Sequence, residues 1–123
     1  MGSERFPQDI ARVDTPCFII DEGAIEENLK ILDYVQKKAG CKILLALKAY
    51  AAYSTFPLIR KYLYGVCASG LNEAKMGKEE FGKEVHTFAP GFSDDEFDEV
   101  VKNSTHIVFN SFSQLEKFKN KVK

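Results

Sequence analysis

The sequence lacks the features that mark nucleic-acid-binding, membrane and secreted proteins. Its net charge is only −1 over 123 residues, so no excess of one charge sign would attract nucleic acid or an anionic membrane. The apolar run at residues 43–47 is far too short to span a bilayer, and no secretory signal pattern is present. A Gly-rich phosphate-binding loop is also missing. We therefore expect neither a nucleic-acid nor a membrane partner.

Cysteine is scarce and unpaired in the sequence. Cys17, Cys41 and Cys67 are odd in number, widely separated and without a C-x-x-C pair, so a disulfide framework and a zinc site are both unexpected. We interpret the chain as a reduced, cytoplasmic protein in which Cys17 and Cys67 are small core residues. A composition of 45% hydrophobic and 28% charged residues is typical of one globular domain.

Segments that resemble strands and helices alternate five times along the chain. The predicted strands are residues 17–20, 43–47, 66–68, 85–89 and 106–109. Each is followed by a segment with apolar residues at helical spacing, and the interval of roughly 20 to 25 residues is the size of a βα unit. Continuous apolar strands are typical of parallel sheets covered on both faces. The sequence therefore predicts an α/β fold, either an open doubly wound sheet or part of a (β/α)8 barrel.

Helix ends are marked by residues with clear capping chemistry. Asp21 is expected to cap the first helix and Gly40 to end it, and Gly82 is expected to end a helix over residues 71–81. Residues 93–96, Ser-Asp-Asp-Glu, form a capping-box pattern flanked by two phenylalanines. Ser113 is expected to cap the last helix.

Polar or turn-forming residues follow the predicted strands at the edge where both folds place function. Lys48 comes after five apolar residues, so a dry wall would lower its pKa and favour the neutral amine that attacks carbonyl carbons. A lysine that simply reaches solvent from a strand end is the commoner explanation of such a pattern. Ser69 and Asn110 could contact a cofactor, with a helix cap and a turn as equally good alternatives. His86 and His106 fall near strand starts and are interpreted as structural or solvent-facing, so no metal ligand is predicted.

The order of several short motifs resembles one enzyme family. TPCFIID at 15–21 and KILLALKAY at 42–50 resemble the opening of the alanine-racemase-like, fold type III pyridoxal-phosphate enzymes. Further matches to their carboxynorspermidine decarboxylase branch are FPLIR at 56–60, ASGLNEA at 68–74, GKEEFG at 77–82 and HIVFNS at 106–111. The resemblance implies that Lys48 forms the Schiff base with pyridoxal 5'-phosphate, and Ser69 and Asn110 could contact that cofactor from their strand ends.

The resemblance also implies an architecture and a reaction. Residues 1–123 would be the N-terminal portion of a (β/α)8 TIM-type barrel, incomplete in this chain, with residues 15–21 a strand leading in from a β-domain. The full-length enzyme would be a homodimeric lyase of polyamine biosynthesis that decarboxylates carboxynorspermidine or carboxyspermidine to norspermidine or spermidine. This chain alone would be inactive, since the phosphate-binding segment and the acidic partner of the pyridine nitrogen are absent.

Two alternatives remain open from the sequence. One is another fold type III enzyme, such as a diaminopimelate or ornithine decarboxylase. The other is a non-catalytic, self-associating α/β module in which Lys48 is only structural.

Overall fold

A computed structural model describes residues 10–122 and shows an α/β unit built on one parallel sheet. The four strands are β1 (Leu44–Ala46), β2 (Gly65–Ala68), β3 (Glu84–Phe88) and β4 (His106–Val108). The helices are α1 (Glu22–Ala39), α2 (Phe56–Ile59), α3 (Leu71–Met76), α4 (Phe97–Asn103) and α5 (Phe112–Phe118). Short 3-10 helices occupy Ile10–Arg12 and Tyr53–Thr55, and a π-helical turn at Gly77–Phe81 prolongs α3. No described helix combines the length and apolarity needed to cross a bilayer.

The strands lie in the sheet in the same order as in the sequence, β1-β2-β3-β4. All three neighbouring pairs are parallel. Consecutive strands of a (β/α)8 barrel have this order, whereas the strand order of a doubly wound sheet reverses at a switch point. Of the two folds that the sequence left open, the observed topology matches the barrel.

The hydrophobic core lies between the helices and one face of the sheet. Val66 and Val85 are register partners on this face, and both are buried against helical residues such as Phe56 and Phe81. A second cluster packs Phe97 against Phe118, with ring centroids 3.9 Å apart. The helices therefore cover a single face, as they do on the outside of a barrel.

The other face of the sheet, called the open face below, is largely exposed among residues 10–122. Cys67 in β2 is exposed, and Phe88 and Val108 retain 45% and 50% of their accessible surface. The expectation of a sheet covered on both faces is therefore wrong for this chain, and so is a core position for Cys67. Apolar residues on an uncovered face need further protein to bury them.

Several predicted helix ends are confirmed. The Asp21 carboxylate accepts a hydrogen bond from the Ala24 N–H at 2.9 Å, which caps α1. Gly40 and Gly82 end their helices with φ of +64° and +70°, the left-handed conformation that glycine adopts without strain. The apolar spacing and caps of these segments therefore determine their structure locally.

Gln36 fixes α1 to the start of the sheet. Its side chain is buried, its Nε2 donates to the Tyr62 carbonyl at 2.7 Å, and its Oε1 accepts from the Ile43 N–H at 3.1 Å. The amide thus satisfies one backbone group just before β1 and one just before β2. Burial of a polar side chain is tolerated here because both ends are hydrogen-bonded.

The predicted strand at residues 17–20 is wrong. This segment has no strand partner among residues 10–122, and it is exposed throughout, including Cys17. Phe18 is fully exposed. A strand requires a neighbour for its backbone hydrogen bonds, so an apolar run without one does not become a strand.

Two predicted helix starts are also displaced. The helix after residues 93–96 begins at Phe97, and Ser93 Oγ reaches the Glu96 carboxylate at 3.4 Å instead of capping the backbone. The last helix is capped by Ser111, whose Oγ accepts from the Gln114 N–H at 3.3 Å, and not by Ser113. Closely spaced serines and acids offer several competing caps, so the pattern identifies the helix better than its first residue.

Candidate active site at the carboxyl edge of the sheet

Lys48 lies in a tight turn directly after β1. Leu47 before it is 2% exposed and still donates its N–H to the Cys67 carbonyl at 3.0 Å. Behind it, the N–H groups of Ala49 and Tyr50 both donate to the Ala46 carbonyl, at 3.0 and 3.1 Å. The backbone on both sides of Lys48 is therefore fixed to the sheet, which positions the lysine on a rigid support.

The Lys48 residue itself is exposed. The expected dry wall around it is absent in this chain, because the open face has no covering layer. Within the described residues Lys48 takes part in no ion pair. Its amine is thus not held by a carboxylate and is sterically available to a ligand at this edge.

Ser69 follows β2, and its backbone N–H, not its hydroxyl, is hydrogen-bonded to the helix that follows. Gly70 occupies the N-cap position of α3 without a side-chain cap, while the Ser69 N–H donates to the Glu73 carboxylate at 2.7 Å. No hydrogen bond of the Ser69 hydroxyl is found within residues 10–122. Helix capping by the serine side chain is therefore excluded, and the hydroxyl is available to a ligand.

Asn110 follows β4 and links two loops of the same edge. Its Nδ2 donates a long hydrogen bond of 3.4 Å to the Pro90 carbonyl, and the residue is exposed. This contact joins two loops and is neither of the two roles predicted for Asn110, a cofactor contact or a local turn. The side-chain oxygen of Asn110 has no protein partner among the described residues.

The strand register brings these predicted residues to one edge. Ala46 pairs with Cys67 near the carboxyl ends of β1 and β2, so Lys48 in the turn after β1 and Ser69 in the bend after β2 lie at the same edge of the sheet. Phe88 and Val108, the last residues of β3 and β4, are register partners at the same edge. Asn110 lies two residues farther along. The edge therefore presents an amine and a hydroxyl beside two exposed apolar side chains, with an amide farther along it.

Sequence reasoning missed a cluster of ionisable groups at the opposite end of the open face. His86 lies in the middle of β3, not at its start, and its Nε2 is 3.1 Å from the Glu84 carboxylate. The His86 and His106 rings are 4.3 Å apart between centroids. Lys42 forms an ion pair with Glu84, and hydrogen bonds from Lys42 and then His86 lower the pKa of Glu84 to about 2. Only the pairing of β3 with β4 brings the two histidines together, so the linear sequence gave no signal for it.

Comparisons with known proteins show that this chain is similar to several decarboxylases. No protein-family model matches the chain. A carboxynorspermidine/carboxyspermidine decarboxylase of Herminiimonas arsenicoxydans is 42% identical over 106 residues, which are 86% of this chain and 29% of that protein. The protein of the same name from Campylobacter jejuni is 42% identical over 111 residues, 90% of this chain and 29% of its own length. A carboxyaminopropylagmatine decarboxylase of Synechocystis is 37% identical over 114 residues, 93% and 30% of the two chains.

A solved structure agrees with these relatives. The crystal structure of carboxynorspermidine decarboxylase from Campylobacter jejuni, complexed with norspermidine, superposes with a TM-score of 0.87 and 43% identity. The match covers 89% of this chain and 30% of that one, and it falls on the N-terminal part of the enzyme. The chain thus spans about three tenths of the length of the relatives it matches.

Proposed function

We propose that this chain is the N-terminal part of a pyridoxal-phosphate-dependent decarboxylase of polyamine biosynthesis. Its substrate would be carboxynorspermidine or carboxyspermidine, and its product norspermidine or spermidine. The observation that supports this most strongly is the 42% identity to two decarboxylases of that name across nearly all of this chain. The parallel sheet, which superposes on an enzyme complexed with norspermidine, agrees with it.

Lys48 is the residue that would hold the cofactor covalently. Its exposed amine, its rigid turn and its lack of an ion pair among the described residues suit attack on an aldehyde carbon. Pyridoxal phosphate, when bound, supplies an electron sink for the electron pair left by loss of the carboxylate. The protein's task at this edge is then to position the substrate against the cofactor and to shield the reacting atoms from water.

Ser69 and Asn110 would assist from the same edge. The Ser69 hydroxyl has no partner within residues 10–122, so it can donate to an acceptor beside Lys48 at no cost to the fold. The free amide oxygen of Asn110 can accept a hydrogen bond from an amine of a polyamine substrate. Exposed Phe88 and Val108 offer an apolar surface against which a ring or a methylene chain can pack.

The side chains at this edge suit the aldehyde end of the cofactor, not its phosphate or its pyridine nitrogen. Residues 10–122 contain no Gly-rich phosphate-binding loop, and the Glu73 carboxylate at this edge is already bonded to the Ser69 N–H. We therefore propose that the remaining length of the longer protein completes the barrel, binds the phosphate and provides a β-domain that receives residues 15–21. A cytoplasmic homodimer is part of the same proposal.

The proposal is tested with the complete reading frame that contains this sequence. The purified protein should release CO2 and a polyamine from carboxynorspermidine or carboxyspermidine when pyridoxal phosphate is supplied. Lys48→Ala should abolish the release, whereas Lys61→Ala, at an exposed lysine outside the site, should not. Turnover in Lys48→Ala, or none in the wild type with either substrate, would contradict the proposal.

A further inference from the structure

Three side chains with metal-binding chemistry converge on the open face near the start of the strands. One ligand atom each from Glu84, His86 and His106 can be chosen so that all three lie within 4.8 Å of one another. The group comprises two imidazoles and one carboxylate, the donor types found in protein sites for zinc and its neighbours. Lys48, Ser69 and Asn110 take no part in this cluster.

The sheet itself creates the convergence. Glu84 and His86 are two residues apart in β3, so their side chains project from the same face. His106 is the register partner of His86 on the neighbouring strand. Adjacent strands are separated by about 4.8 Å, which sets the two imidazoles side by side. The arrangement therefore depends on regular strands, which are stiffer than loops.

The separation of Glu84 and His86 already matches what a metal ion requires. Two ligands bonded at about 2.0 Å to a tetrahedral zinc are separated by about 3.3 Å. His86 Nε2 and the Glu84 carboxylate oxygen already lie 3.1 Å apart. His106 is exposed, so its ring can rotate toward the pair without breaking a packed core.

We propose that Glu84, His86 and His106 bind one divalent transition-metal ion of the class that prefers imidazole and carboxylate ligands, with zinc, cobalt, nickel and copper as members. Three protein ligands leave a fourth tetrahedral position to water or to an exogenous ligand. The cluster does not include Lys48, Ser69 or Asn110, so it can be tested without pyridoxal phosphate.

Lys42 acts as the natural competitor for this site. Its ammonium forms an ion pair with Glu84, which must be broken or rearranged for that carboxylate to bind a metal. Removing the Lys42 charge should therefore strengthen metal binding, because the metal ion then no longer competes with an ammonium group for the Glu84 carboxylate.

The test is titration of the tag-free 123-residue chain with Co²⁺, followed by visible absorption, and with Zn²⁺, followed by calorimetry. We expect one ion per chain, and weakening by at least about tenfold in His86→Asn, His106→Asn and Glu84→Gln. Lys42→Ala should bind more tightly than wild type. Glu79→Gln, which removes an exposed carboxylate elsewhere, should bind like wild type.

Far-UV circular dichroism shows whether each variant is folded. Because His106 is exposed, its replacement is expected to fold and decides the question even if His86→Asn does not. The proposal is overturned if wild type shows no saturable binding below about 1 mM, or if folded His106→Asn binds as tightly as wild type. It is also overturned if Lys42→Ala binds more weakly.

Discussion

Replacing Gly65 with alanine should destabilise the chain by about 2 to 2.5 kcal/mol. Gly65 begins β2, and a Cβ built there would lie 2.1 Å from the Glu84 carbonyl oxygen and 2.8 Å from its carbon. Ordinary contacts begin at 3.4 Å, and the obstacle is backbone, so no side-chain rotation relieves it. Overpacking costs about 1 to 3 kcal/mol, and a clash of this size belongs at the upper end. Alanine's advantage over glycine in a strand offsets about 0.5 to 1 kcal/mol of that.

The measurement is urea unfolding of the two variants followed by circular dichroism. Gly91→Ala is the matched control, because a Cβ at Gly91 meets no atom within 4 Å and its φ is not positive. Its free energy of unfolding should stay within about 0.5 kcal/mol of wild type. Equal stability of the two variants would show that β2 and β3 do not approach each other as the structure has them.

Three further changes test the packing and the electrostatics. Gln36→Ala leaves two backbone groups without partners and should lower the free energy of unfolding by about 1 to 3 kcal/mol in urea titrations. Phe97→Ala removes a fully buried ring stacked on Phe118 and should cost about 3 to 5 kcal/mol by the same method, whereas Phe112→Ala, at an 87% exposed ring, should cost under about 0.5. The pKa of Glu84 falls from 4.5 to about 2 on folding, chiefly through Lys42, so its contribution to stability is present above pH 4.5 and is lost as the pH falls toward 2. Unfolding midpoints measured across that range should therefore converge for wild type and Glu84→Gln at the acid end, and a constant gap would contradict the assignment.

Local chemistry explains which parts of the fold could be predicted from the sequence. The Asp21 cap and the glycine stops at Gly40 and Gly82 depend on a few neighbouring residues, and all three are confirmed. Residues 17–20 have the apolar composition of a strand, but a strand also requires a partner, and none pairs with them in residues 10–122. Composition cannot show whether that partner is present.

The candidate site, like the fold, could be predicted from the sequence only in part. Lys48 and Ser69 were predicted to lie at one edge because parallel strands end together, and both follow the paired carboxyl ends of β1 and β2. The exposure of Lys48 agrees with the alternative of a lysine that reaches solvent from a strand end, whereas the dry wall depended on a layer that does not cover the open face of this chain. The contact between His86 and His106 was not predicted, since it arises from a pairing register between residues 20 positions apart in the chain.

The most direct test of the central claim is to locate pyridoxal phosphate on the protein. The protein from the complete reading frame would be incubated with the cofactor, reduced with borohydride to fix the cofactor to its lysine, digested and examined by mass spectrometry. We expect the pyridoxyl group on the peptide that contains Lys48, retained in Lys61→Ala and lost in Lys48→Ala. Modification of another lysine with Lys48 unmodified, or no modification at all, would contradict the claim.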